Sequence, residues 1–173
     1  DDRAMMRDAI RDTPRAALPA QNPLVLERIS QGNIEFKFRR YLAAVSAYNE
    51  ALAIDSKRAT LRVGQIAVVH EKIGAAYNKI GQSESAIRAL RKSLQRNPRN
   101  AGAHYQIALA YAVSGKTASA LHAVREAFAA AANTTELRRL VLLAKTDVEL
   151  EAVRDLLGFR PLVAEVADHV AWR

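Results

Sequence analysis

The 173-residue sequence predicts an all-α fold made of repeated helix pairs. Apolar residues recur at helical spacing from Leu24 onward, and no segment alternates in the manner of a half-buried strand. Alanine, the strongest helix former, occurs 34 times, whereas proline occurs only five times. Residues of the same type also return at a fixed interval, which is typical of repeat architectures. We therefore expect an array of helices with no sheet.

The interval is 34 residues in the middle of the chain. The matched pairs are Gly74 with Ala108, Tyr77 with Tyr111, Gly81 with Gly115, Ala86 with Ala120 and Leu90 with Val124. An earlier copy occupies residues 32–56, at a longer interval of 42 from the second. The eight extra residues fall in a periodic run from about Lys57 to Ile80. This predicts that the first helix of the second copy is about two turns longer than usual, roughly 36 Å in all.

These residues and their spacing resemble the tetratricopeptide repeat (TPR). The resemblance implies a right-handed α-solenoid, in which small residues such as Gly74 and Ala86 let the two helices of a pair approach closely. Gly81 and Gly115 would end the first helices of their pairs in the left-handed conformation that glycine adopts without strain. Arg39 stands where the first copy should have this glycine, so the pattern predicts that turn less clearly than the other two.

The resemblance also divides the chain. Residues 1–24 form an N-terminal segment or linker with a short helical pattern near Met5 to Ile10. Three repeats follow, at about 25–58, 59–100 and 101–134, with a further helix up to 146. Residues 147–173 then form a C-terminal helical cap, similar to the end piece of bacterial TPR arrays, because the last repeat would otherwise expose an apolar face.

Catalytic chemistry is not indicated. The absence of cysteine excludes disulfides, thiolate metal sites and a cysteine nucleophile. No phosphate-binding loop or paired-histidine zinc motif is present, and His70 and His104 share one repeat position, which favours packing over metal binding. The sequence therefore predicts a non-enzymatic protein with no catalytic residues, cofactor or metal, whose function is to bind another protein.

The resemblance places a partner in the concave groove lined by the first helices of the repeats. Carried over by register, the groove residues are Asn33, Lys37, Lys72, Asn78, Lys79, Tyr105, Gln106 and Leu109. The groove should be basic and polar at one end and apolar at the other. One TPR subset grips chaperone C-terminal carboxylates with lysine and asparagine at fixed places. Of these only Asn33 is matched, so this ligand is not expected.

A second surface carries much of the formal net charge of +8. Positive side chains recur along the second helix of the middle repeat, on the convex side; this basic stripe comprises Arg88, Arg91, Lys92, Arg96 and Arg99. It makes an adaptor for a membrane surface or nucleic acid the alternative function. Nucleic acid is disfavoured, because no aromatic residues interleave with the cations as a stacking platform requires.

The first residues are Asp1 and Asp2 rather than a methionine. This start suggests a removed leader or a fragment, and it leaves a regulatory appendage of a larger protein as a further alternative. Arginine outnumbers lysine 19 to 7, which favours a GC-rich, bacterial genome. The compartment, bacterial cytoplasm or periplasm, stays open.

Overall fold

The computed structural model describes the backbone of residues 20–171 and the side chains of residues 20–168. Over that range it consists of helices and turns, which confirms the predicted all-α class. Three antiparallel pairs come first: α1 (Pro23–Lys37) with α2 (Tyr41–Lys57), α3 (Val63–Lys79) with α4 (Ser83–Arg96), and α5 (Ala101–Val113) with α6 (Thr117–Ala130). They are followed by α7 (Thr134–Thr146), a 3₁₀ turn (Val148–Leu150), α8 (Glu151–Arg154) and α9 (Phe159–Ala171). The helix expected near Met5 lies outside the described residues.

Each helix pair is held together by a small residue facing a larger one sixteen positions later. A Cβ atom added to Gly32 would overlap the Tyr48 ring, and one added to Gly74 would overlap the Leu90 side chain. The third pair has Ala108 and Val124 at these places, both fully buried. The close approach predicted from the repeat is thus present, and each crossing is filled by a different combination of volumes.

The turns between paired helices share one backbone conformation. Gly81 and Gly115 have φ angles of 73° and 72°, and Arg39 has a φ of 61° at the equivalent place. In all three turns the next amide donates to the carbonyl four residues before the left-handed position, as Arg40 N does to Glu35 O at 2.9 Å. The first turn is therefore regular, and a side chain is held there in a conformation that costs about 1–2 kcal/mol for a residue with a Cβ.

The interval of 42 residues between the first and second copies does not arise from a first helix two turns longer than usual, as the sequence predicted. Helix α3 has 17 residues and is about 26 Å long, so the prediction of a 36 Å helix is wrong. Part of the extra length belongs to α2, which continues to Lys57, and part forms the loop 58–62. The buried Asp55 side chain fixes this loop, because its Oδ1 accepts hydrogen bonds from the amides of Thr60 and Leu61 at 2.7 and 3.0 Å.

The C-terminal elements pack against the third helix pair. Leu150, Val153, Phe159 and Leu162 are buried in the same apolar cluster as the facing surfaces of α5 and α6. The Arg154 guanidinium donates to the carbonyl oxygen of Asp147 at 2.6 Å, which ties α8 to the chain before the 3₁₀ turn. Among the residues that the structure describes, no helix combines the length and apolar character needed to cross a membrane.

Candidate partner-binding groove

Helices α1 and α3 meet in the groove through a polar contact. The Lys72 ammonium donates to Asn33 Oδ1 at 2.7 Å, and the Tyr48 hydroxyl donates to the same oxygen at 2.9 Å. Two side chains predicted to line the groove, Asn33 and Lys72, therefore lie together and are held in place by a residue of α2. The carboxamide NH₂ of Asn33 has no hydrogen-bond partner among the described residues, and the side chain is exposed.

Helices α3 and α5 are joined in the same manner. The Asn78 carboxamide donates to the backbone carbonyl of Gln106 at 2.8 Å and to its side-chain Oε1 at 2.9 Å. Both residues are half-buried. These two contacts, Asn33 with Lys72 and Asn78 with Gln106, form a polar seam along the first helices. The seam fixes the spacing between repeats and leaves its polar groups at the surface.

Tyr105 is buried, contrary to the expectation of a solvated groove residue. Only 4% of it is exposed, and its hydroxyl donates to a carboxylate oxygen of Asp147, just before the 3₁₀ turn. Burial, and then the hydrogen bond and charge of Asp147, raise the pKa of the Tyr105 hydroxyl far above its usual value of 10. The C-terminal elements cover this part of α5, so Tyr105 fastens the cap and is not available as a surface anchor.

Leu109 is also covered. It is 9% exposed and belongs to the apolar cluster that contains Leu150 of the 3₁₀ turn. The apolar end expected for the groove is therefore largely filled by the protein itself. The open part is the basic end, where Lys37 and Lys79 lie exposed in the last turns of α1 and α3.

Asn100 links three helices, and sequence reasoning missed it. Its side chain caps α5 by accepting from Ala103 N, and its NH₂ donates to Glu71 Oε2 of α3 and Ser93 Oγ of α4 at 2.9 and 3.0 Å. The Glu71 carboxylate lies so close to Gly102 that a Cβ there would overlap it. Asparagine before a helix is a recognisable N-cap signal, but its contacts with α3 and α4 are set by packing.

The basic stripe lies on the opposite surface from the groove. All five of its side chains are exposed, as predicted. Arg88 is 4.0 Å from Glu84 and donates to Ser85 Oγ at 2.9 Å, whereas the other four have no ion pair among the described residues. The half-buried His70 lies beside the stripe. Burial, and the charges of Lys92 and Arg96, lower the pKa of His70 below 6.5.

The described part of the chain contains no group of three or more metal-binding side chains close enough to hold an ion. His104 Nε2 lies 3.0 Å from the carbonyl oxygen of Pro98 and steadies the turn before α5. His122 is on α6, 4.0 Å from Glu126. His104, His122 and Glu126 line one open surface pocket between α5 and α6, whereas His70 lies on α3 and does not line it.

The sequence profile of the bacterial transcriptional activator domain matches residues 27–139, which run from α1 into α7. The chain belongs to that family. The matched range contains most of α1, all of α2 to α6, the polar seam and the basic stripe. Its sequence matches no curated protein.

Solved TPR structures share the fold of this chain. The TPR domain of Sgt2 from Aspergillus fumigatus has a TM-score of 0.58 at 22% identity, over 78% of this chain and 85% of that one. MamA has a TM-score of 0.58 at 15% identity, over 96% and 87% of the two chains. The first TPR domain of Spaghetti (RPAP3), bound to the HSP90 peptide SRMEEVD, has a TM-score of 0.55 at 18% identity, over 73% and 98%. The TPR prediction is confirmed at the level of fold.

Proposed function

We propose that this protein is a non-enzymatic scaffold that binds a partner protein segment in the open end of its groove. The observation that carries the proposal is the exposure of Lys37 and Lys79 beside a polar seam whose geometry is already fixed. In this assignment the repeats at about 25–58, 59–100 and 101–134 form the binding unit. Residues 147–173 form the cap that closes it.

The chemistry of the groove favours an extended, acidic segment. Lys37, Lys72 and Lys79 supply positive charge, and the free NH₂ of Asn33 can donate a hydrogen bond to a main-chain carbonyl or a carboxylate. Tyr105 and Leu109, which the sequence placed in the groove, cannot contact a partner because both are buried in the free protein. The RPAP3 domain holds an HSP90 peptide with three carboxylate side chains, so an acidic segment fits a groove of this fold. The lysine and asparagine set of chaperone-binding TPR domains is matched here only at Asn33, so the proposed ligand is an acidic segment other than a chaperone C-terminus.

The family assignment supports a role in bacterial gene activation. A transcriptional activator domain without catalytic groups would act by holding another protein of the activation machinery. The partner could also be a segment of a larger polypeptide that contains this domain. Both cases need the same open groove, and both predict that it recognises a short peptide.

Selection from a random dodecapeptide phage library tests the proposal. Peptides selected on the wild-type protein should be enriched in Asp and Glu, and they should bind Lys37→Glu/Lys79→Glu at least tenfold more weakly, because both reversals face the ligand. The matched control is Arg125→Glu/Arg139→Glu, which makes the same change in charge at exposed positions of α6 and α7. Equal losses in both variants, or none in either, would show that the groove is not the binding site.

A further inference from the structure

The basic stripe is a straight row of cations on one exposed face. Arg88, Arg91, Lys92 and Arg96 lie on α4 at spacings of three and four residues, and Arg99 follows in the next loop. The rise of 1.5 Å per residue places Arg88 and Arg96 about 12 Å apart along the axis. The row is fixed, because Ala86, Ala89, Leu90 and Ser93 bury the opposite face of the same helix.

The stripe keeps most of its charge. Of the five stripe residues, only Arg88 has a carboxylate of the described residues within 4.0 Å, whereas Arg28 and Arg40 elsewhere pair with Glu50 and Glu35 at 3.4 and 3.2 Å. Burial, and then the charges of Lys92 and Arg96, lower the pKa of the neighbouring His70, as unpaired cations at this surface would. Adjacent unpaired cations repel one another, so the arrangement suits an anionic partner.

The positive surface continues beyond α4. Ser93 Oγ donates to the carbonyl of Ala67 at 2.7 Å, which places the end of α4 beside the start of the antiparallel α3. The exposed Arg62 immediately precedes α3, and the antiparallel packing puts this start of α3 at the same end of the helix pair as the end of α4. Arg62 therefore adds a positive charge at that end of the pair.

We propose that the basic stripe contacts the phosphate backbone of double-stranded DNA without reading its sequence. A row of about 12 Å is long enough for its flexible side chains to reach several phosphates of one strand, which carries one negative charge for each 3.4 Å of duplex axis. Single strands bind by stacking their bases on aromatic side chains, whereas a duplex keeps its bases paired and stacked. The absence of aromatic residues from the stripe therefore disfavours a single strand but not a duplex. Helix α4 exposes no large apolar side chain that could enter a lipid surface, so a membrane is the weaker alternative.

The family assignment brings this surface close to DNA, since a domain of a transcriptional activator works at a promoter. The inference rests on that assignment and is independent of the proposed groove, which faces the other way. A protein held at a promoter by other contacts would gain affinity from each phosphate that the stripe neutralises. The stripe would therefore strengthen binding without adding base specificity.

Fluorescence anisotropy with a labelled 30-base-pair duplex of random sequence tests the inference. The wild-type protein should bind, and its affinity should fall on the order of 100-fold between 50 and 200 mM salt, as expected for about four phosphate contacts. The variant Arg91→Gln/Lys92→Gln/Arg96→Gln/Arg99→Gln should lose at least tenfold in affinity at 50 mM salt and most of the salt dependence. The milder Arg91→Gln/Arg99→Gln variant should lose less.

The matched control removes the same charge from other exposed positions, as Arg125→Gln/Arg138→Gln/Arg139→Gln/Arg160→Gln. It should retain near wild-type affinity. Bound duplex should also raise the pKa of His70, measured by NMR, because phosphate offsets the charges of Lys92 and Arg96. Equal losses in both fourfold variants, preference for a single strand of the same length, or binding only to phosphatidylserine vesicles would overturn the proposal.

Discussion

Gly74 of α3 lies directly beneath the Leu90 side chain of α4, so that a Cβ atom at residue 74 would overlap it. The third pair solves the same crossing with Ala108 and Val124. The volume missing from one helix is supplied by the other in each case. This exchange explains how imperfect copies of one repeat can fill equivalent helix crossings.

The crossing should show energetic coupling between its two residues. Gly74→Ala should lower the free energy of unfolding by about 1 kcal/mol, because overpacking outweighs the gain in helix propensity. Leu90→Val should cost about 1 kcal/mol by leaving a small cavity. The double variant has the same two residue types as the third pair. Its loss of unfolding free energy should be smaller, by at least about 0.5 kcal/mol, than the sum of the two single losses. Urea denaturation measures all three, and additive losses would contradict this packing.

Replacing Arg39, which has a left-handed backbone conformation, by glycine should stabilise the folded protein. Arg39→Gly should raise the free energy of unfolding by about 0.5–1 kcal/mol, because glycine relieves the left-handed strain at a small entropic cost in the unfolded chain. Gly81→Ala should lower it by about 1 kcal/mol, since nothing lies within 4 Å of the added Cβ and only the backbone is strained. Gly64→Ala, with similar space but no positive φ, is the control and should not destabilise.

The hydrogen bond from the Tyr105 hydroxyl to Asp147 should hold the C-terminal elements against α5. Tyr105→Phe should cost about 1–3 kcal/mol, because the Asp147 carboxylate loses a donor in a half-buried place. Hydrogen exchange should accelerate in residues 148–162 more than in α1 and α2, which is the local effect of a loosened cap. Tyr111→Phe, a half-buried tyrosine at another face of α5, is the control. A uniform change in exchange would show that Tyr105 contributes only to the general core.

His70 should make stability depend on pH. Its pKa is lowered in the folded protein, so the native state favours the neutral ring. Below pH 6.5 the unfolded chain takes up this proton more readily, and stability falls as the pH decreases through that value. Lys92→Gln/Arg96→Gln should raise the pKa of His70 in an NMR titration, although burial, the largest cause, remains. An unchanged pKa would mean that these cations do not act on the ring; Arg125→Gln is the control.

The repeated crossings could be predicted from the sequence because each depends on residues within one helix pair. Gly74 and Leu90 are sixteen residues apart, and the 34-residue interval repeats both. The left-handed turns follow from the same register, and even Arg39 occupies the predicted place. The exposure of the basic stripe was also predictable, because helical spacing alone decides which face of α4 is buried.

Contacts between distant segments could not be predicted in this way. Register places Tyr105 on the groove face of α5, but it says nothing of Asp147, 42 residues later, which covers it. Apolar periodicity likewise continues through the loop 58–62, because Leu61 is buried there without being helical. The loop depends on Asp55, whose hydrogen bonds carry no periodic signal.

Chemical-shift mapping of a display-selected peptide tests partner binding in the groove most directly. Titrating it into ¹⁵N-labelled protein should shift the side-chain amides of Asn33 and Asn78 and the backbone amides around Lys37 and Lys79. Amides near Arg91 and Arg96 should stay within the background. Shifts concentrated on α4 or on the C-terminal elements, with Asn33 and Asn78 unchanged, would contradict a groove-binding scaffold.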